Sequence, residues 1–434
     1  MQIIKLSYRF IMQQLNRRVM LKPVLLIQAC LLCSSVVAQN NTSPYSILGI
    51  GDIEKSSFDR TTGMGHAGLA LPSYRYLNHS NPASYSYLED RFFHFELSTR
   101  FRSVGYSGEA ITDGTNATSS DMQFKKAALA IKLKSGWGAS FGVLPVSSSN
   151  YSFYGNKNIQ GSNLFANTYY EGTGSLNKVY LANAFKVGKK MSLGVELSYL
   201  FGQKNEEEEV LSNVSASLLT KRNVFMSGPS FKLGWQWQTQ VHKNFLLSAG
   251  ATFSGKTSLN AVYSLEVREE ETPIVKREED QPGYFTIPVS YAGGLALTYK
   301  KAYTLAFDYT SQPWSNLQYK GFGYSLNNSN RYSFGLEYAP KKVFRNIEYD
   351  AYQLQAGAFR HKTYLNYKGH QLTEYGITLG AGTMLTRSGL GLNGSIELGM
   401  RGNVNNGMIK EKYTSFNLTI SYRDFWYTLG RRYD

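Results

Sequence analysis

The stretch "RFFHFELSTRFRSVGYSG" (91–108) alternates along its length. Phe93, Phe95, Leu97, Thr99 and Phe101 fall on one face, and His94, Glu96, Ser98, Arg100 and Arg102 on the other. A period of two with charge confined to one face predicts a strand with one apolar side and one wet side. The pattern returns in "KVYLANAFKVG" (178–188), "MSLGVELSYLFGQ" (191–203), "FKLGWQWQTQ" (231–240) and "SFNLTISYRDFW" (415–426).

Fourteen strands follow from this pattern: 91–104, 121–134, 137–146, 177–187, 190–203, 222–239, 243–266, 283–300, 302–312, 330–340, 350–360, 372–386, 390–402 and 412–424. Short turns such as "KSGW", "VGKKM", "YKKAY" and "TRSG" alternate with the long segments 105–120, 147–176, 204–221, 267–282, 313–329, 361–371 and 403–411. Short turns alternating with long loops over an even strand count are the construction of a bacterial outer-membrane barrel, with the turns in the periplasm. The fold expected is therefore all-β, an antiparallel transmembrane β-barrel of about fourteen strands. Aromatic residues near strand ends (Tyr180, Tyr199, Trp235, Tyr303, Tyr309, Tyr338 and Trp426) suit interfacial girdles. After residue 38 there is no uncharged apolar run of 18 residues, so no transmembrane helix is expected.

Ahead of the strands, "MLKPVLLIQACLLCSSVVAQN" (20–40) has a basic start, an apolar run and a small-residue ending at Val36-Val37-Ala38. It reads as a secretory signal in residues 1–38, with translation beginning at Met20 and cleavage after Ala38. Acylation at Cys30 is the lesser alternative, because Gln28 stands two places before it. Cys30 and Cys33 are the two cysteines of the chain, so the mature protein would carry none. Of the formal charge of +15, five positive charges leave with the signal. For an exported protein the anionic neighbour expected is lipopolysaccharide or a phospholipid headgroup surface, not nucleic acid.

Catalytic signals are weak. His94 and Glu96 share a face, which fits two polar lumen residues better than an acid/base pair. No histidine has a partner at metal-ligand spacing, and no nucleophile or phosphate-loop motif appears. Neither an enzyme nor a cofactor is expected. The acidic runs Glu206–Glu209 and Glu266–Asp280 read as solvated loop tips, with cation binding the lesser alternative. Pro145, Pro229 and Pro288 each remove a ladder donor from a strand. With Gly142 and Gly228 beside them, Pro145 and Pro229 mark either a kink that opens the wall or a bulge that only bends it.

Residues 39–90 precede the first strand and are rich in Gly, Asn and Tyr, a composition suited to filling a wide lumen. "GMGHAGLAL" (63–71) and "NHSNPASYSYLED" (78–90), followed by an alternating strand, resemble the N-terminal hatch of FadL-type long-chain fatty acid transporters. Gly63, Gly65, Ala67 and Gly68 match its small-residue piece, and Asn81, Pro82 and Ala83 its Asn-Pro-Ala triplet. "SPYSILGIGD" (43–52) and 172–202 are similar to the branch of that family found in Bacteroidetes. The resemblance implies fourteen strands around a plug, and passage of hydrophobic molecules sideways through a kink in the third strand, here at Gly142 and Pro145.

The domain plan is then a signal (1–38), a hatch (39–90), a barrel (91–424) and a periplasmic tail (425–434). The function expected is transport of hydrophobic, fatty acid-like molecules by hatch displacement and lateral exit. Tyr151, Phe153, Tyr154 and Phe165 are the ligand-binding candidates. The alternative is a non-transporting structural subunit of a secretion or barrel-assembly complex, with outer-membrane protein partners.

Overall fold

The computed structural model describes residues 43–55, 58–108, 118–158, 165–211, 217–270, 272–317, 320–321, 323–344, 347–384 and 389–425. The signal, its cleavage site, Cys30, Cys33, Trp426 and all but the first residue of the C-terminal tail lie outside the described residues.

Fourteen antiparallel strands form the wall. They are β1 (Phe92–Ser107), β2 (Thr118–Lys134), β3 (Trp137–Ser148), β4 (Phe165–Val187), β5 (Met191–Leu211), β6 (Leu218–His242) and β7 (Phe245–Ser254). The second half comprises β8 (Ser290–Tyr299), β9 (Tyr303–Gln312), β10 (Ser329–Tyr338), β11 (Tyr352–Tyr367), β12 (His370–Met384), β13 (Gly391–Arg401) and β14 (Lys410–Phe425). Each pairs with its neighbour in sequence. The ring closes where β1 meets β14, from Phe92 opposite Phe425 to Ser107 opposite Lys410.

The side chains reverse the usual order of a water-soluble protein. Leu193, Leu197, Tyr199, Leu295 and Leu379 are exposed on the outside, while Glu96, Glu196, Ser192 and Gln236 are buried on the inside. An apolar exterior with a polar interior is what lipid requires, and closure leaves no continuous strand edge in the hydrocarbon. Ring pairs such as Trp137–Phe185, Phe245–Tyr299 and Tyr303–Tyr338 lie at the short-turn end, as an interfacial girdle would.

Two wall strands are shorter than the sequence predicts. The strand expected over 243–266 breaks at Gly255 and Lys256, and the one expected over 283–300 breaks at Pro288 and Val289. Beyond these breaks Thr257–Glu269 and Thr272–Ile287 form a hairpin that leaves the ring and pairs back onto β6. Upper β4, β5 and β6, with Tyr151–Asn158 on one flank and this hairpin on the other, make a sheet that continues past the ring. Segments 147–176, 204–221 and 267–282, expected as loops, are thus largely strand. Their long glutamate runs need no apolar face, because an extension standing in water has none to bury.

Residues 43–90 carry three short 3-10 turns: Pro44–Ile47, Arg60–Met64 and Pro82–Tyr87. Asp59 caps the second, accepting from the backbone N–H of Thr61, and Asn81 caps the third, accepting from that of Ala83. These residues are buried against the inward face of the wall. Leu77, Tyr85 and Leu88 pack with Ala128, Ala130, Tyr180, Ala182 and Ala184, and Met64, Ala67 and Ala70 with Ala296 and Ala306. Near the long-loop end, Tyr45 and Ile50 join Leu176, Val224, Leu259, Phe285, Trp314 and Tyr364 in a larger apolar core.

Candidate functional site: a lateral gap beside a lumen chamber

Pairing between β2 and β3 runs from Lys134 opposite Trp137 up to Ala127 opposite Val143, and stops there. Above that level β2 continues to Thr118 bonded to β1 alone, and Leu144–Ser148 has no partner on the β2 side of the wall. Two irregularities flank the break. Val146 is an extra residue between the pairs made by Pro145 and Ser147 with β4, and Lys125 is an extra residue between those of Phe124 and Lys126 with β1. Pro145 has no amide hydrogen to donate, and a bulge beside it bends the strand away. Met122 and Phe124, on the β2 side of the break, expose their side chains on the apolar exterior.

The N-terminal segment closes this break. Asp52 and Ile53 pair with Ser148 and Ser147 as a two-residue strand, and the N–H of Glu54 donates to the carbonyl of Val146 at 2.9 Å. The Glu54 carboxylate accepts from Arg100 of β1 at 2.9 Å, from Lys125 of β2 at 2.6 Å and from Ser148 of β3 at 3.1 Å. One side chain thus ties together the strands on both sides. Burial pushes its pKa upward, but the Arg100 and Lys125 charges outweigh burial and hold it well below the usual carboxylate range.

Inside the gap lies a chamber of about 290 Å³. Leu144, Pro145 and Val146 form its wall at the kink, Leu200, Phe231 and Ile287 extend the apolar lining, and Lys178, Lys232 and Arg331 with Glu54, Glu196 and Asp308 supply charge of both signs. Lys178 is paired with Glu196 at 2.6 Å, and Lys232 donates to the carbonyl of Ser80 at 2.6 Å. Arg331 lies over the Phe359 ring at 4.3 Å, and its two terminal nitrogens are buried with no hydrogen-bond partner among the described residues. The chamber can therefore take an apolar body and one anionic or strongly accepting group.

Residues 43–90 are fastened to the wall by charge as well as by packing. Arg60 forks onto Glu337 at 2.8 and 2.7 Å and reaches Asp350 at 2.6 Å. Arg401 grips Asp52 and Glu411, each at 2.7 Å. Lys55 and His66 both meet Glu397. Asp308 accepts from the backbone N–H groups of Gly68 at 2.6 Å and Leu69 at 2.9 Å. His79 stays neutral: burial, and then the Lys178, Lys232 and Lys126 charges, hold its pKa well below the ordinary histidine value.

The residues singled out in the sequence fall into three groups. Gly63, Gly65 and Gly68 meet the wall or the segment itself at close range. A Cβ on Gly65 would stand 2.7 Å from the carbonyl oxygen of Ala358, and Gly65 itself has φ +62°. Asn81 donates to the carbonyl of Trp235 at 2.9 Å, and Pro82 and Ala83 press against Gly194 and Gly234 of the wall. Gly142 and Pro145 stand at the gap. Gly228 and Pro229 do not open β6 from β5, since Leu200 and Tyr199 pair with them in unbroken register. They face instead the break at Gly255 and Lys256. Tyr151, Phe153, Tyr154 and Phe165 are not in the chamber but on the extended sheet, with Tyr151 buried, Phe153 stacked on Tyr170, and Tyr154 and Phe165 exposed.

His94 and Glu96 do not act together. Glu96 accepts from Lys126 and from the N–H of Leu77, whereas the Nε2 of His94 has no partner among the described residues. Glu206 to Glu209 lie on β5 with Lys221 and Arg222 opposite, and among the described residues no group of side chains is arranged to hold a metal ion. Sequence reasoning missed Glu54, Arg60 and Arg401. Their partners lie up to hundreds of residues away, and the only trace of them is charge on a face that points inward.

The family model BamG matches residues 20–434. No curated protein matches the sequence. Among solved structures, the Pseudomonas putida toluene transporter TodX superposes with a TM-score of 0.61 at 16% identity, over 87% of this chain and 100% of that one. A FadL homologue of Pseudomonas aeruginosa gives 0.59 at 13%, over 87% and 100%, and the CymD monoaromatic hydrocarbon channel 0.58 at 14%, over 84% and 96%. The likeness establishes a fold shared with outer-membrane channels for hydrophobic compounds, and the protein is a barrel of the bacterial outer membrane.

Proposed function

Because the chain belongs to the BamG family and has the fold of hydrophobic-compound channels, we propose that it admits apolar or amphipathic small molecules to its lumen chamber and releases them sideways into the membrane. One observation carries the reading: the ladder between β2 and β3 ends at Val143, and the chamber reaches the wall at Leu144–Val146 beside that break. Unpaired backbone in hydrocarbon costs several kcal/mol per group, so a gap there is retained for a use. Residues 43–90 are the hatch in this reading. Asp52–Lys55 is the part that must move, since it occupies the gap, while the rest of the hatch stays docked.

A second reading rests on the fastening of that hatch. Its Arg60, Lys55 and Asp52 bind it through ion pairs to Glu337 of β10, Glu374 of β12, and Glu397 and Arg401 of β13. A plug so held suits a non-transporting structural subunit of an outer-membrane complex. Native mass spectrometry of protein extracted gently from its own membrane separates the two. A bound apolar molecule that disappears in Val146→Trp supports transport. An empty chamber with a stoichiometric protein partner supports the subunit and sinks the channel.

A further inference from the structure

The two ends of the barrel differ in the balance of their exposed charges. Lys134 ends β2, Lys189 and Lys190 make the β4–β5 turn, Lys243 the β6–β7 turn, Lys300 and Lys301 the β8–β9 turn, and Lys342 follows β10. All seven are exposed. They occupy five successive connections at the periplasmic end, and among the residues of those connections whose side chains are described no acid is exposed. Asp350, half-buried, is taken by Arg60 and Lys341. At the opposite end the hairpin 257–287 carries seven acids against three bases.

Two further features single out the lysines. They stand just beyond the aromatic girdle of Trp137, Phe185, Phe245, Tyr299 and Tyr338, at the depth of lipid headgroups, with the Lys300 amine 5.2 Å from the Tyr299 ring centre. Lys300 and Lys301 also hold φ of +50° and +56°. A two-residue turn of that shape is normally given to Asn-Gly, because other side chains are strained there. Lysine stands at both positions despite that strain.

We propose that this ring of lysines binds the anionic headgroups of phospholipids in the periplasmic leaflet of the outer membrane. A protein partner would need a patch on one side, whereas charge repeated at successive turns around the barrel matches a surface that surrounds it. The acidic hairpin at the other end offers no matching attraction to lipopolysaccharide. The ring orients the barrel and fixes its depth electrostatically, independently of whether the lumen transports anything.

The test is native mass spectrometry of the mature protein in neutral detergent, with phosphatidylglycerol and phosphatidylcholine of identical chains as competing probes and lipid A as a third. Each lysine near a headgroup surface is worth about fivefold in affinity. Phosphatidylglycerol should be retained at least about tenfold over phosphatidylcholine, and the preference should collapse in K189Q/K190Q/K300Q/K301Q and survive in K276Q/R277Q on the outer hairpin. Folding of each variant is read from heat-modifiable migration on gels. If the quadruple variant fails that control, K189Q/K190Q and K300Q/K301Q are read separately, each expected to lose part of the preference. Equal retention of the two phospholipids, an unchanged preference in the variants, a stronger lysine dependence for lipid A, or an acidic protein lost with the lysines in place of lipid would each overturn the proposal.

Discussion

At the scale of single residues, the wall meets residues 43–90 through absent side chains. A Cβ on Gly194 would stand 2.3 Å from the backbone nitrogen of Ala83, and one on Gly357 2.2 Å from that of Gly65. Neither contact can relax by turning a side chain, because backbone is on the other side. Gly194→Leu is therefore expected to lift the Asn81–Ala83 turn off β5, read as new protease cleavage within 70–90 while the barrel still resists heat in detergent. Unchanged cleavage would refute the close approach. Arg401 sets a different kind of limit. Replacing it with Met leaves Asp52 and Glu411 buried without their cation, a loss of about 3–5 kcal/mol that a thermal unfolding midpoint will report.

Among the elements, the short strand Asp52–Ile53 is the one that occupies the break in the wall. Ile53 and Ser147 are opposed in register, within the range that a disulfide can span. Ile53→Cys with Ser147→Cys is made in a chain with Cys30 and Cys33 replaced by Ser, so that the introduced pair alone can oxidise. Under the transport reading, uptake of an apolar probe stops on oxidation and returns with reductant. Uptake indifferent to oxidation would remove Asp52–Lys55 as the gate. Glu54→Gln weakens the tie across the gap and is expected to speed amide exchange at 52–55 and 144–148, with little change at β9 or β10. How far the elements were legible in the sequence follows their environment. Wherever a strand faces lipid on one side and lumen on the other, alternation gives its place and its parity, as in β1 and β5. Where β5 runs on through Glu206–Glu209 into water, both faces are polar and the period disappears. Pro288 stood out as a lost ladder donor, but the break at Gly255 and the exit of the hairpin beyond both were invisible, since a ladder can change partners without changing the pattern of side chains. The chamber and the ion pairs depend on residues brought together from distant strands, and nothing local marks Glu54 or Arg60 as members of one site.

The whole molecule answers to pH through groups of its N-terminal segment. Burial, with nearby lysines, keeps His79 neutral, and burial outweighs the pull of Glu397 to lower the pKa of His66. A depressed histidine pKa means the folded state binds its proton later than the unfolded one. That stability is full above about pH 6.5 and drains away as pH falls through and below it. Glu54 works over a lower range: its carboxylate is held below the ordinary value, so its contribution survives to about pH 4 and is lost only in stronger acid. The thermal midpoint should drop between pH 7.5 and pH 5, and His79→Gln should flatten that dependence. A midpoint flat across the range in the native chain would count against both histidines.

The seam between β1 and β14 also bears on how the molecule is built. Ser43 bonds to Glu411, and Asp52 to Arg401, so the beginning of the described chain is held by its last two strands. Residues 43–90 lie within the ring that this seam completes. They must be in place before the final strand joins the first, or they are shut out. The order of synthesis suits this, because the part to be enclosed emerges first and the strand that seals it emerges last. A chain whose leading segment has not settled leaves Glu397 without Lys55 and Arg401 without Asp52, so the last strands meet with part of their charge uncompensated.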